Sequence, residues 1–190
     1  SIEAILPLFF SEGFTRVLLI DLPKTRSMMH LDTLFSSISA TDIIVYPPLF
    51  NDQEINGHTV QTYCLESGQS LFDVTPLTQS LADCLRDQGY DFNAINCGGD
   101  EPLHQEREQW SDGANAFTLA PGKIINYARN KKTAAALEQA GYLQIDAEDF
   151  INNNADHMAD DQQMVITISS AELPRGRGGP RCLTMPLDRA

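Results

Sequence analysis

With 190 residues, 42% of them hydrophobic and 21% charged, the chain has the size and composition of one globular domain able to bury a core. A net charge of -13 excludes the basic surface that nucleic-acid binding requires and mildly favours a cationic small molecule. No apolar run approaches the ~20 residues of a membrane span, and Cys64, Cys84, Cys97 and Cys182 lack C-x-x-C spacing, which predicts reduced thiols in a cytoplasmic protein rather than a zinc ribbon or a disulfide framework.

The opening SIEAILPLFF carries Glu3 and Pro7 without a basic flank, so it does not read as a targeting segment. Val17–Pro23 is a short apolar run closed by proline and predicts a buried strand. His30–Ser39 predicts a second strand and Ile43–Leu49 a third, ended by its two prolines. Residues 51–70 are polar and turn-rich, a loop with a hairpin. Leu77, Leu81, Ala82 and Leu85 recur at helical spacing up to a stop at Gly89, and Phe92–Gly99 predicts another strand. Ala114–Gly122 and Lys123–Asn130 predict a strand pair across a Pro-Gly turn. Lys132–Gly141 predicts a helix with glycine just past its end, and Tyr142–Asp146 a strand. Residues 147–163 are acidic and Asn-rich and read as a surface insertion; Met164–Ser170 and Cys182–Leu187 complete the strands. The order strand-strand-helix-strand, roughly twice over, predicts an α/β chain with a weak internal repeat.

Four segments carry residues with chemical potential, each with a plain structural alternative. On a strand, His30 and Asp32 share a face, which sets a general acid/base beside a cation-binding carboxylate; the alternative is the polar face of an edge strand. Flanking Met29 and Leu31 predict that both faces are covered, and a buried His and Asp then need a reason. In Cys97–Asp100 (CGGD), paired glycines permit close backbone approach or a simple turn, and Cys97 reads as a packed thiol. Arg107–Asn115 (REQWSDGAN) gathers Arg107, Glu108, Asp112 and Asn115 around the only tryptophan, Trp110, either as a network bracing a site or as a capped surface turn. Arg175–Pro186 (RGRGGPRCLTMP) sets Cys182 behind glycines and arginines. Arg177 and Arg181 there suit activation of a nucleophilic thiol or bidentate capture of a carboxylate, with Gly178 and Gly179 letting the backbone close in; the alternative is a solvated basic loop. His58, His104 and His157 stand apart without ligand spacing, so neither a metal nor a cofactor is expected.

Taken together, MHLDT, CGG, REQWSDGAN, the hairpin ending YARN, and RGRGGPRCLTMP occur in the order shown by the arginine deiminase family, and the chain resembles that family from about Val17 to Arg189. The resemblance implies a pentein fold, an α/β propeller of ββαβ blades around a pseudo-fivefold axis. The 190 residues are then expected to form a single domain, a partial propeller of roughly two blades and part of a third, with the segment at 147–163 inserted. By resemblance Cys182 is the nucleophile, His30 the general acid/base, Asp32 a carboxylate that holds the guanidinium, and Arg177 a ligand of the substrate α-carboxylate, with Gly178 and Gly179 closing the loop. The implied reaction converts L-arginine and water to L-citrulline and ammonia through a thiouronium on Cys182.

The family also draws site residues from a first half that has no match here. The chain is therefore expected to be a C-terminal portion, inactive alone, and to self-associate or join a complementary N-terminal portion. L-arginine or a related guanidino compound is the expected ligand, with no nucleic acid and no membrane. Two alternatives stay open: a non-catalytic assembly or binding module that retains the scaffold, and another guanidine-modifying enzyme, an amidinotransferase or a dimethylarginine hydrolase.

Overall fold

The computed structural model describes residues 2–52, 54–55, 57–159, 161–185 and 187. Its first regular elements are α1 (Ile2–Ser11), β1 (Arg16–Asp21), β2 (Phe35–Ser37), β3 (Asp42–Val45), β4 (Glu54–Ile55), β5 (His58–Thr59), β6 (Gln61–Glu66), α2 (Leu81–Asp87) and β7 (Asn93–Asn96). They are followed by α3 (Pro102–Trp110), β8 (Phe117–Ala120), β9 (Lys123–Tyr127), α4 (Lys131–Gln139), β10 (Leu143–Asp146), α5 (Ala147–Asn152), α6 (Asn154–Ala159) and β11 (Met164–Ile168). The chain divides into two compact units, residues 1–24 with 48–89, and residues 25–47 with 90–190. Among the described residues the architecture is mixed α/β with four small sheets and no closed barrel.

In the first unit β1 pairs antiparallel with β6, placing Leu18 opposite Cys64. β4 and β5 form a hairpin turned by Gly57 at φ 78°, a left-handed conformation that glycine adopts without steric cost. Ser80 caps α2 by accepting from the Asp83 amide, and the helix buries Leu81 and Cys84. The opening segment is helical as α1, with Ile2, Ile5, Leu8 and Phe9 substantially exposed.

The second unit holds a three-stranded sheet in the order β2-β3-β7 and a four-stranded sheet in the order β10-β11-β9-β8. β9, β10 and β11 are parallel, and β8 joins β9 as an antiparallel hairpin turned at Gly122, φ 79°. Parallel neighbours need a crossover, and α5 and α6, within the stretch read as an insertion, lie between β10 and β11 in sequence. Side-chain alternation assigns the faces. Ile124 and Val165 enter one core with Ile38, Ile44, Ile95, Leu137 and Tyr142. Their neighbours Ile125, Met164 and Ile166 enter a second core with Phe150 of α5. At β9 and β11 the sheet is covered on both faces, and β11 reads as a nearly continuous apolar run broken only by Thr167.

Of the expected strands, one is shortened at its start and another is not a strand among the described residues. His30–Ser39 begins as a 3-10 turn over Leu31–Thr33, and β2 starts only at Phe35. The cause is Thr33, whose hydroxyl and amide both donate to the His30 carbonyl, at 2.7 and 3.2 Å. Such local back-bonding competes with a sheet ladder. Met29 and Leu31 are exposed rather than covered. Residues 182–185 and 187 are also turn and irregular chain, with Leu183 and Thr184 amides donating back to Gly179 and Arg181; Pro186 of that expected strand lies outside the described residues. Among the described residues no helix is long and apolar enough to cross a membrane.

Candidate active site

A polar scaffold beneath the site begins in α3. This helix buries Gln105, Glu108 and Gln109 while Leu103 and Trp110 face out. The Glu108 carboxylate accepts from the Lys132 amide (2.8 Å), the Thr133 amide (2.7 Å) and the Thr133 hydroxyl (2.7 Å). The two amides are orphan donors at the N-terminus of α4, where a negative charge is also favoured by the helix dipole. Gln105 Nε2 donates to the Gly99 carbonyl at 2.7 Å, and Gln109 Nε2 to the Ser27 carbonyl at 2.7 Å.

The turn after α3, Ser111–Asn115, is fastened to the end of β9. Ser111 and Asn130 bond reciprocally, hydroxyl to amide oxygen at 2.6 Å and amide nitrogen to carbonyl at 3.1 Å. Asn126 Nδ2 donates to the Gly113 carbonyl at 2.8 Å. A Cβ on Gly113 would lie 2.9 Å from Cys97 Sγ and from the Glu108 carbonyl, so this close approach requires glycine. Cys97 is fully buried and its thiol is pushed up to about 12 by burial; it packs as an inert thiol.

Upon this scaffold Asn115 brings Asp32 and Cys182 together. Its carboxamide nitrogen donates to the Asp32 carbonyl (2.9 Å) and to Cys182 Sγ (3.2 Å). Its oxygen accepts from the amides of Arg181 (3.0 Å) and Cys182 (3.2 Å). The Cys182 thiol in turn donates to Asp32 Oδ2 at 3.6 Å. The other oxygen of that carboxylate, Oδ1, is buried without a hydrogen-bond partner among the described residues. Burial and then the Asp32 charge raise the Cys182 pKa, outweighing the Gly179 amide and, after it, the Asn115 bond, which lower it. The resting nucleophile candidate is thus a thiol on an exposed residue facing a carboxylate.

Gly178 and Gly179 shape the loop that delivers Cys182. Gly178 has φ 129°, and a Cβ on Gly179 would sit 2.5 Å from Asn115 Oδ1. The Tyr127 hydroxyl donates to the Gly178 carbonyl at 3.0 Å. Arg177, also left-handed at φ 66°, turns its side chain inward. Its guanidinium pairs with Asp112 at 3.4 Å, donates to the Ser27 carbonyl at 2.7 Å and to the Trp110 carbonyl, and lies 5.1 Å from the Trp110 ring centroid. Burial raises the Asp112 pKa, against the opposing pull of Arg177 and the Gly178 amide. His30 precedes the 3-10 turn with an exposed side chain that makes no hydrogen bond or ion pair among the described residues.

Of the residues expected from the sequence, Asp32, Cys182, Arg177, Gly178 and Gly179 therefore converge on one polar assembly, with His30 two positions before Asp32. Asn115 and Asp112 carry that assembly, although the sequence offered them only as members of a bracing network. Ser27 and Tyr127 left no signal, since each contributes one ordinary polar group. Among the described residues no cluster suited to a metal ion occurs. The chemistry on offer is a thiol, a carboxylate with a free buried acceptor, and a nearby imidazole in the sequence, a set able to hold a planar cation and attack its carbon.

A family model described as arginine deiminase matches residues 1–189. The arginine deiminase of Listeria monocytogenes serotype 4a (strain HCC23) is 37% identical over 183 residues, covering 94% of this chain and 38% of that protein. That of Mycoplasma capricolum subsp. capricolum is 35% identical, covering 93% and 37%. That of Latilactobacillus sakei subsp. sakei is 34% identical, covering 100% and 41%. The chain thus spans about two fifths of the length of these relatives and matches their C-terminal part. The chain belongs to the arginine deiminase family.

Proposed function

We propose that this chain carries the nucleophile of an arginine deiminase-type site that converts L-arginine and water to L-citrulline and ammonia. The observation that supports it most is Asp32, with one oxygen 3.6 Å from Cys182 Sγ and the other buried without a partner among the described residues. A guanidinium placed there would donate to the free oxygen in a charge-assisted bond and bring positive charge beside a sulfur whose ionisation Asp32 now opposes. Substrate would thereby favour the thiolate that attacks it.

In this reading the Cys182 thiolate adds to the guanidinium carbon. The C–N bond to a terminal nitrogen breaks, His30 gives that nitrogen a proton, and ammonia leaves a thiouronium on sulfur. His30 then takes a proton from water, which adds to the same carbon; the C–S bond breaks, releasing citrulline and the thiolate. Arg177 takes the α-carboxylate by exchanging a carbonyl partner for it. The fold that frames these steps is a partial pentein propeller, the 190 residues forming one domain of it with a surface insertion at 147–163. Further carboxylates come from a complementary portion or a second copy, so the chain does not turn over arginine alone.

The test is to treat the purified chain with a haloacetamidine and map the adduct, and separately to assay citrulline from arginine. The reading expects a covalent adduct at Cys182, suppressed by arginine, and citrulline only when a complementary arginine deiminase portion is added. Labelling of Cys182 that arginine leaves unchanged would overturn it, and robust turnover by the monomeric chain would overturn the incomplete site.

A further inference from the structure

The Asn115 carboxamide is fully buried and uses its four hydrogen-bonding directions on two segments alone. Two donors face the Asp32 carbonyl and the Cys182 sulfur; two lone pairs face the amides of Arg181 and Cys182. A flipped amide would set its oxygen against a carbonyl and a sulfur and its NH2 against two N–H groups, so only one orientation satisfies the set. The same side chain therefore fixes the backbone at Cys182 and aims a neutral donor at its sulfur. Gly179 secures this arrangement from the other side, because a Cβ there would come within 2.5–2.8 Å of the Asn115 oxygen, Cβ and Cγ.

We propose that Asn115 is a positioning residue for the nucleophile: its N–H holds Cys182 Sγ in place against the Asp32 turn and stabilises the sulfur as a thiolate. This rests on the reading of Cys182 as the nucleophile. When the thiol proton leaves for solvent or base, the bond from Asn115 becomes charge-assisted and strengthens, while the bond from sulfur to Asp32 Oδ2 is lost. The donor offsets part of what Asp32 imposes, and does so before any substrate arrives. A carboxylate in place of the amide keeps the two acceptor bonds, removes both donors and adds a second negative charge beside sulfur.

The experiment needs no substrate. In the unmodified chain, the Asn115 side-chain amide signal, followed by nuclear magnetic resonance, should titrate with the same midpoint as iodoacetamide labelling of Cys182 mapped by peptide. Asn115→Asp should slow that labelling about tenfold at neutral pH, the scale of one hydrogen bond to a charged group, and move its midpoint upward. Gly179→Ala, which displaces Asn115 without altering it, should shift the midpoint in the same direction. Asp42→Asn, whose partners Ser39, Asn93, Tyr142 and Gln163 do not touch Cys182, should leave the midpoint unmoved even as it weakens the fold. An Asn115 signal that ignores Cys182 ionisation would overturn the proposal, whether or not the variants fold. So would folded Asn115→Asp with an unchanged labelling profile. Loss of arginine protection would instead count against the deiminase reading and leave this one standing.

Discussion

Asp112 and Arg177, the non-glycine residues with positive φ among the described residues, at 61° and 66°, are each other's partners in a buried ion pair at 3.4 Å. Two strained backbone positions thus meet at one charge contact, and each strained residue costs on the order of 1–3 kcal/mol. The pair holds the turn after α3 against the loop that leads to Cys182.

Removing the cation should expose the cost of the anion. Arg177→Met leaves Asp112 buried without its counter-charge, a change of about 3–5 kcal/mol in comparable pairs. Burial already raises the Asp112 pKa above its ordinary value of 3.8, and loss of Arg177 raises it further. A raised folded value means that stability is fullest below the unfolded pKa and falls as pH rises through the folded one. Urea unfolding of Arg177→Met should accordingly show its largest deficit at neutral pH and a smaller one in acid. Asp112→Asn added to it should recover much of the loss; a deficit independent of pH would contradict this.

Asp32 should have opposite effects on the thiol and on the ligand. Its charge is the second cause, after burial, of the raised Cys182 pKa. Asp32→Asn should therefore increase iodoacetamide labelling of Cys182 several-fold near neutrality, while protection of Cys182 by arginine weakens by about tenfold or more. Both measurements use the same peptide map, and parallel changes in the two would rule out the double role.

Asp42 behaves in the contrary sense to Asp112. Burial raises its pKa, but bonds from Asn93, Tyr142, Ser39 and Gln163 outweigh that and hold it below 3.8. Its stabilisation is then present above the unfolded value and disappears as pH falls through the lower folded one. Thermal unfolding should show the wild-type chain losing an increment on acidification that Asp42→Asn lacks. At neutral pH the variant should be weaker by about 1.5–3 kcal/mol, the scale of hydrogen bonding to a charged group.

Gly98 is expected to tolerate nothing larger. Its φ is 80°, and an added Cβ would lie 2.4–2.5 Å from the backbone of His104 and Gln105 in α3. Gly98→Ala should cost at least about 1–3 kcal/mol, the range for overpacking, with backbone strain in addition. Gly141→Ala, also at positive φ but facing open space, should cost less; equal losses in denaturant midpoint would show that packing against α3 is not the cause.

The sequence was readable where apolar periodicity carries the structure. β9, β10, β11 and α4 were expected close to where they occur, because each carries apolar buried residues, Ile124, Ile145, Met164 to Ile166, and Ala134 with Leu137, in short runs or at helical spacing. α3 escaped because its buried face is Gln105, Glu108 and Gln109, a pattern that hydrophobic periodicity registers as solvent. The union of Asp32 with Cys182 was legible only through the combined motifs. The reason given for His30 and Asp32, a shared strand face, does not hold, since Thr33 turns that segment into a 3-10 helix. Asn115 could have been suspected as an asparagine two residues past the Asp112-Gly113 turn, but its partners lie too far along the chain for spacing to reveal them.

The two described apolar clusters take their last members at Val165 and Ile166, whereas the loop bearing Cys182 is tied down by Asp112, Asn115 and Tyr127 through polar contacts. Releasing that loop therefore exposes little apolar surface to water. Such an opening carries a small heat-capacity change and need not be coupled to melting of the body. The thiol can lose its alignment while both cores remain intact, so the temperature at which the nucleophile is disarmed is set separately from the temperature at which the protein unfolds.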